Sequence, residues 1–143
     1  MLKKLPWQIK KTILPQHTDH AGVMWHGSYV NLLEESRIKA LDQSGVHYFD
    51  LLNKNFELPV KFLTIKYIKP IHINEEIIIN SYFEISRSPR VVIHSEFINK
   101  NNLVCTEAEI NLVLIVKDNL SIVRNRPKFL EKAFERLSEG PKN

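Results

Sequence analysis

The spacing of hydrophobic residues divides the chain into segments with helical periodicity and segments with strand periodicity. Residues 26–44 carry apolar or small side chains at helical spacing, which predicts one long helix. The recurring positions are Tyr29, Leu33, Ser36 and Ala40, with Val30, Leu32 and Leu41 beside them. Ser28 is placed to cap the start of this helix, and Gly45 directly follows its end.

After residue 57 the apolar residues follow the alternation that is typical of strands. This pattern predicts four strands, at residues 58–69, 76–86, 90–99 and 103–117, and an earlier segment predicts one at 8–16. The alternation slips between Phe62 and Leu63, which predicts a β-bulge or burial on both faces. A short second helix is predicted over residues 127–137, where Pro127 suits the first turn.

These elements predict an α+β architecture with a sheet of about five strands. A single long helix needs a partner for its apolar stripe, and an antiparallel sheet curled around the helix supplies one. The four later strands follow one another through short connections, which favours a meander. Such a sheet leaves an edge strand that commonly pairs with a second subunit, so we expect a homodimer or a homotetramer.

Length and composition are those of one ordinary globular domain. The chain has 143 residues, 43% of them hydrophobic and 25% charged, so we expect residues 1–143 to form a single domain. Cys105 is the single cysteine, which excludes an intrachain disulfide and a cysteine-based zinc site. Its place in a strand pattern predicts an ordinary buried thiol.

The net charge of +4 comes from basic residues that are spread among 16 acidic ones. A nucleic-acid-binding surface is usually a denser basic stripe, so a small anionic ligand is the better prediction. The four glycines form neither a P-loop nor a dinucleotide-binding fingerprint. The basic N-terminus is not followed by a signal-peptide core, and no stretch approaches the roughly 20 apolar residues that span a bilayer. We therefore expect a cytoplasmic protein without membrane insertion.

The segment 17–29 holds the residues best suited to chemistry. Asp19 lies seven residues before His26, near the predicted start of the long helix, and Gly22 between them permits a tight turn. Free backbone N–H groups at a helix start can hold a carbonyl oxygen that becomes negative. A carboxylate facing an electrophile held there is suited to hydrolysis. The three histidines of the segment, with Asp19, do not have the spacing of a zinc site, so neither a metal nor a cofactor is predicted.

The same segment resembles the 4-hydroxybenzoyl-CoA thioesterase family of hotdog proteins, which includes bacterial thioesterases for short-chain and aromatic acyl-CoA. The matching residues are Asp19, Gly22, Val23, Met24, Trp25, His26, Tyr29, Glu34, Ser36 and Arg37. The resemblance extends from about residue 8 to residue 137, because the order of elements also agrees. The sequence departs from the family at His17, where an acidic residue often stands.

The resemblance implies a hotdog fold and an acyl-CoA thioesterase that uses Asp19 as the nucleophile or as the base for the attacking water. The backbone N–H near His26 is expected to polarise the thioester oxygen. The residues expected to bind the substrate are Gly22, Val23, Met24, Trp25, Tyr29 and Phe62, of which the last four are expected to line the acyl pocket. Basic residues must face the phosphates of coenzyme A, and the candidates are Lys66, Lys69, Arg87 and Arg90. For Tyr29, Glu34 and Arg37 a structural role on the helix is the favoured interpretation.

Two other functions stay open at this level. A hotdog hydratase or dehydratase acting on acyl thioesters would add or remove water without releasing thiol. A non-catalytic hotdog protein would bind acyl-CoA without turning it over. The acyl group itself is not specified by the sequence, and benzoyl, naphthoyl and short aliphatic groups are all compatible with it.

Overall fold

The computed structural model describes residues 4–86 and 89–142, and its centre is a five-stranded antiparallel sheet. The strands of this sheet are β1 (Trp7–Thr12), β3 (Val60–Tyr67), β4 (Glu76–Ile85), β5 (Arg90–Asn99) and β6 (Val104–Val113). Two short strands, β2 (Phe56–Glu57) and β7 (Ile115–Val116), pair with each other. The helices are α1 (His26–Ser44), α2 (Tyr48–Asn53) and α3 (Lys128–Glu139). The sheet and its long helix confirm the predicted α+β hotdog fold.

The long helix α1 has the predicted bounds and buries the predicted face. Gly45 ends it in the left-handed region, at a φ of 110°, which is easily adopted only by a residue without a side chain. The prediction that Ser28 caps the start was wrong. Trp25 occupies the N-cap position without a side-chain cap, and Ser28 lies within the first turn. The Ser28 hydroxyl instead donates a hydrogen bond to the His17 carbonyl at 2.9 Å.

The strand order β1-β4-β5-β6-β3 shows that the predicted meander was wrong for one strand. Strands β4, β5 and β6 are consecutive neighbours, but β3 pairs with β6 at an edge of the sheet. Residues 68–75 therefore carry the chain from that edge to β4, which lies beside β1 near the opposite edge. Apolar alternation reports which face of a strand is buried and carries no information about which strand lies next to it.

Several element ends also differ from the prediction. The first strand ends at Thr12, because Pro15–His17 forms a 3₁₀ turn. The last long strand ends at Val113, since the next residue, Leu114, donates its N–H to the Pro89 carbonyl at 3.0 Å and the chain continues into β7. The sequence pattern did not predict α2, β2 or the break before β7. The predicted irregularity in β3 is present as a register shift between Val60 and Phe62.

A chain of buried hydroxyl groups joins α1 to the sheet. The hydroxyls of Ser36 and Ser81 are 3.1 Å apart, and those of Ser81 and Ser95 are 2.7 Å apart. All three side chains are buried, and small residues allow the helix to approach β4 and β5 closely. The hydrogen bonds then fix where the helix sits, which in turn positions its N-terminus.

The closing helix α3 packs against β4 and α1. Its apolar face is buried, and the Leu137 carbonyl accepts a hydrogen bond from the Trp7 indole at 3.0 Å. Pro127 lies at the N-cap, directly before the first helical residue. Among the described residues no helix is both long enough and apolar enough to span a membrane.

Candidate active site

A tight loop places Asp19 beside the start of α1. The Asp19 N–H donates to the Val23 carbonyl at 2.9 Å, and the Gly22 N–H donates to the Asp19 carbonyl at 3.0 Å. Gly22 has a φ of +75°, a conformation that favours glycine, and its Cα faces Ile73. The loop is also held to the crossing segment 68–75, because the Ile73 N–H donates to the Gly22 carbonyl at 2.8 Å.

The two oxygens of the Asp19 carboxylate have different surroundings. Oδ1 accepts hydrogen bonds from the N–H groups of Ala21, at 2.9 Å, and Val23, at 3.2 Å. In the described part of the chain no hydrogen bond or ion pair involves Oδ2, and the residue is exposed. The turn therefore fixes the carboxylate through one oxygen and leaves the other for a ligand.

The N-terminus of α1 presents free backbone donors next to this carboxylate. The Ser28 N–H donates to the Trp25 carbonyl at 2.9 Å, whereas the N–H groups of His26 and Gly27 have no acceptor one turn earlier in the helix. The His17 carbonyl holds the helix start, because it accepts the Trp25 N–H at 3.1 Å as well as the Ser28 hydroxyl. Together with the helix dipole, the two free groups form an anion-stabilising position.

A pocket of about 440 Å³ lies between the Asp19 loop, the first turn of α1 and the crossing segment. Its lining residues are Asp19, Val23, Met24, Trp25, His26, Tyr29, Tyr67, Ile68, Lys69 and Pro70. Seven of these ten were singled out in the sequence. The other three, Tyr67, Ile68 and Pro70, belong to the end of β3 and the crossing segment, whose path depends on the strand order that the sequence pattern did not supply.

Tyr29 forms the inner wall of the pocket. It is 3% exposed, and its ring packs edge-to-face on Tyr67, with centroids 5.0 Å apart, and against Phe97 at 5.3 Å. Burial raises the pKa of the Tyr29 phenol above its ordinary value, and interaction with the Thr106 hydroxyl offsets part of this rise. The phenol is therefore neutral at physiological pH. It can donate a hydrogen bond but is not a base.

Four expected substrate residues that the structure describes do not line this pocket: Gly22, Phe62, Lys66 and Arg90. Phe62 is 52% exposed on β3, which is an edge strand, so it does not line the pocket of its own chain. Lys66 is exposed opposite Glu107 on β6, and Arg90 is exposed at the start of β5. Arg87 lies outside the described residues. Among the expected phosphate ligands that the structure describes, Lys69 alone lines the pocket.

Other polar residues of the motif have structural partners. Arg37 is 7% exposed, forms an ion pair with Glu34 and donates to the Leu58 carbonyl at 2.9 Å. Cys105 is buried, and burial raises the pKa of its thiol, which disfavours the reactive thiolate. Within residues 4–86 and 89–142 no group of three or more acidic, histidine or cysteine side chains is arranged to hold a metal ion.

Comparison with known proteins connects this site to a family. The model of the thioesterase-like superfamily matches residues 13–134. The Synechocystis protein sll0410, provisionally named an esterase, is 27% identical over 134 residues, or 93% of this chain and 81% of the relative. The acyl-CoA thioester hydrolase YbgC of Escherichia coli O157:H7 is 24% identical over 128 residues, which are 90% of each chain.

A solved structure of similar fold is the DHNA-CoA thioesterase from Staphylococcus aureus. It is 25% identical to this chain and superposes with a TM-score of 0.76, covering 82% of this chain and 78% of that one. The family match includes the Asp19 loop, the long helix and the crossing segment, and so it spans the whole candidate site. The chain belongs to the thioesterase-like superfamily.

Proposed function

We propose that the protein is an acyl-CoA thioesterase of the 4-hydroxybenzoyl-CoA thioesterase family, which hydrolyses small aromatic or short-chain acyl-CoA to the free acid and coenzyme A. One observation carries the proposal: a carboxylate, a helix N-terminus and apolar walls surround the same pocket. The names of two relatives, an acyl-CoA thioester hydrolase and a DHNA-CoA thioesterase, support the same reaction. We expect this activity in the cytoplasm and without a metal or cofactor.

Asp19 supplies the reactive oxygen. With Oδ1 held by two N–H groups, Oδ2 is free to attack the thioester carbon, which forms a mixed anhydride and releases the thiolate of coenzyme A. Water then hydrolyses the anhydride. Alternatively, the same oxygen takes a proton from water, and the resulting hydroxide attacks the thioester carbon. Both routes require an ionised carboxylate in this position.

The N-terminus of α1 stabilises the negative charge that develops on the thioester oxygen. In this proposal His26 and Gly27 donate their backbone N–H groups to that oxygen. The His26 ring packs edge-to-face on Trp25, with centroids 5.1 Å apart, and shapes the pocket. Since a thiolate is a good leaving group, no strong general acid is needed on the opposite side of the carbonyl.

Lys69 is our leading candidate for contact with coenzyme A, because it is the basic residue of the pocket lining. Lys66, Arg87 and Arg90 stay predictions for the more distant phosphates. The acyl group would lie against Met24, Trp25, Tyr29 and Tyr67. Three of these four side chains are aromatic, which suits a flat apolar group.

We propose that the protein is a homodimer that pairs through β3. This strand is the last in the sheet order, and it exposes the apolar side chains of Val60, Phe62 and Tyr67. An unpaired, apolar edge is a site for pairing with another strand. Because Tyr67 ends β3 and also lines the pocket, a partner strand would lie next to the pocket opening and bring its own Phe62 near it. A homotetramer would require a further interface.

The reaction is tested by incubating the purified protein with benzoyl-CoA, 2-naphthoyl-CoA and butyryl-CoA and detecting the released thiol. We expect release from at least one of them, with kcat/KM in the range of ordinary enzymes, about 10⁴ M⁻¹s⁻¹ or more. Release from carrier-protein thioesters alone would change the substrate to a protein. Hydration of an unsaturated acyl-CoA without thiol release would replace the proposal by a hydratase, and binding without turnover would replace it by a binding protein.

A further inference from the structure

Gly27, in the first turn of α1, lies directly against the indole of Trp25. A Cβ atom at position 27 would be 2.1, 2.5 and 2.6 Å from three carbons of the six-membered indole ring. These separations are far below van der Waals contact, which for two carbons is about 3.5–4.0 Å. Any side chain at position 27 therefore requires the Trp25 ring to move.

The backbone at Gly27 gives no other reason for a glycine. The glycines with positive φ are Gly22, Gly45 and Gly140, whereas Gly27 has the conformation of the helix that contains it. Alanine is the better helix former at such a position. Glycine is thus required at position 27 because the Trp25 indole occupies the space that a side chain would fill.

The Trp25 indole is at the same time a wall of the candidate active site. It lines the pocket together with Asp19 and Met24, is 42% exposed and contacts the His26 ring. The ring carbons that would collide with a Cβ are at the far end of a side chain that can rotate about two bonds. A substituent on residue 27 would therefore displace the wall while leaving the helix in place.

We infer that Gly27 is a specificity-determining residue, because its bare surface lets the Trp25 indole fold across the first turn of α1 and limit the size of the acyl group. This inference rests on the proposed thioesterase activity. With the indole in place the pocket selects single-ring or short acyl groups over bulkier ones. With the indole displaced, kcat/KM for bulkier acyl groups rises relative to kcat/KM for small ones.

The kinetic test is a double-mutant cycle of Gly27→Ala and Trp25→Ala, measured as the ratio of kcat/KM for benzoyl-CoA to that for 2-naphthoyl-CoA. Both single variants should lower the ratio roughly tenfold, which is the usual effect of removing one apolar contact from a pocket. The double variant should equal Trp25→Ala alone, since the alanine at position 27 acts only through the indole. Additive effects in the double variant, or an unchanged ratio in Gly27→Ala, would overturn the inference.

A fluorescence measurement decides the structural part independently of activity. The chain has two tryptophans, and only Trp7 is buried. The difference between the emission of the parent protein and that of Trp25→Phe is the emission of Trp25. Quenching of this emission by acrylamide measures how exposed the Trp25 indole is. Gly27→Ala should increase this quenching. Asn31, one turn later in α1, is exposed, and Asn31→Ala also raises helix propensity, so this control variant should leave the quenching and the kcat/KM ratio unchanged.

The two proposals fail in different ways. If the parent protein hydrolyses no acyl-CoA while Gly27→Ala still increases the quenching, the proposed reaction is wrong and the inference is lost with it, although the packing is confirmed. If the parent protein is active and Gly27→Ala changes neither the quenching nor the ratio, the reaction stands and the role of Gly27 is refuted.

Discussion

At the residue scale, Asp19 and His17 show how a short segment combines structural and chemical roles. The sequence predicted the position of Asp19 relative to Gly22 and the helix start, and the structure brings Asp19 and the helix start to one pocket, with Gly22 in the turn between them. What the spacing did not reveal is that His17 organises the loop. Its carbonyl accepts two hydrogen bonds from the helix start, and its Nδ1 accepts the Leu14 N–H at 2.9 Å. These contacts depend on the folded loop, so the residue spacing alone could not predict them.

We therefore predict that His17 is a positioning residue. His17→Ala removes the acceptor for the Leu14 N–H, which should cost about 1 kcal/mol in the free energy of unfolding and lower kcat with little change in KM. His17→Asn is the matched control, because the amide oxygen of asparagine can occupy nearly the same place as Nδ1. The measurement is steady-state kinetics with denaturant unfolding for each variant. If Asn fails to restore kcat while the fold is intact, the ring has another role.

At the element scale, the sequence predicted what depends on local periodicity and missed what depends on neighbours. The bounds of α1 and the existence of α3 follow from apolar stripes and from Gly45 and Pro127, and both are confirmed. The position of β3 beside β6 was missed, because alternation is the same in any strand order. Because of that error, part of the site was not predicted. Residues 68–75 cross from one edge of the sheet towards the other only in the observed strand order, and they form one side of the pocket.

The hydroxyl chain between α1 and the sheet gives a prediction at this scale. Ser81→Ala leaves the buried hydroxyls of Ser36 and Ser95 without their shared partner, which should reduce the free energy of unfolding by about 2 kcal/mol. The triple variant with alanine at all three positions should lose less than the sum of its single changes, because no buried hydroxyl stays unpaired. Urea unfolding measures both. A change below about 0.5 kcal/mol in Ser81→Ala would show that the hydroxyls find other partners.

At the scale of the whole molecule, the exposed edge of the sheet and the pocket lie at the same place. The sequence predicted an edge strand and an oligomer on general grounds, but it could not identify which strand is the edge. The structure identifies β1 and β3 as the two ends of the sheet. It also explains why Phe62 does not line its own pocket: Phe62 lies on the exposed edge, where a second copy is expected.

The proposed dimer predicts a clear difference between two exposed phenylalanines. Phe62→Lys places a charge on the β3 edge and should halve the molar mass found by size-exclusion chromatography with light scattering. Phe49→Lys is the control, because Phe49 is 75% exposed on α2, which is not part of the five-stranded sheet. A dimer that survives Phe62→Lys, or one that Phe49→Lys dissociates, would contradict pairing through β3. Loss of thioesterase activity with dissociation would show that the partner completes the site.

The claim that Asp19 performs the hydrolysis is tested most directly by comparing Asp19→Asn with Asp19→Ala in thiol release and in unfolding. An asparagine oxygen can still accept the N–H groups of Ala21 and Val23, so Asp19→Asn should keep its stability within about 0.5 kcal/mol. Its kcat/KM should nevertheless fall by roughly 10²–10⁴-fold, because the reactive carboxylate is gone. Asp19→Ala should be equally inactive and also less stable by about 1–2 kcal/mol. Turnover by Asp19→Asn at the parent rate would contradict the account.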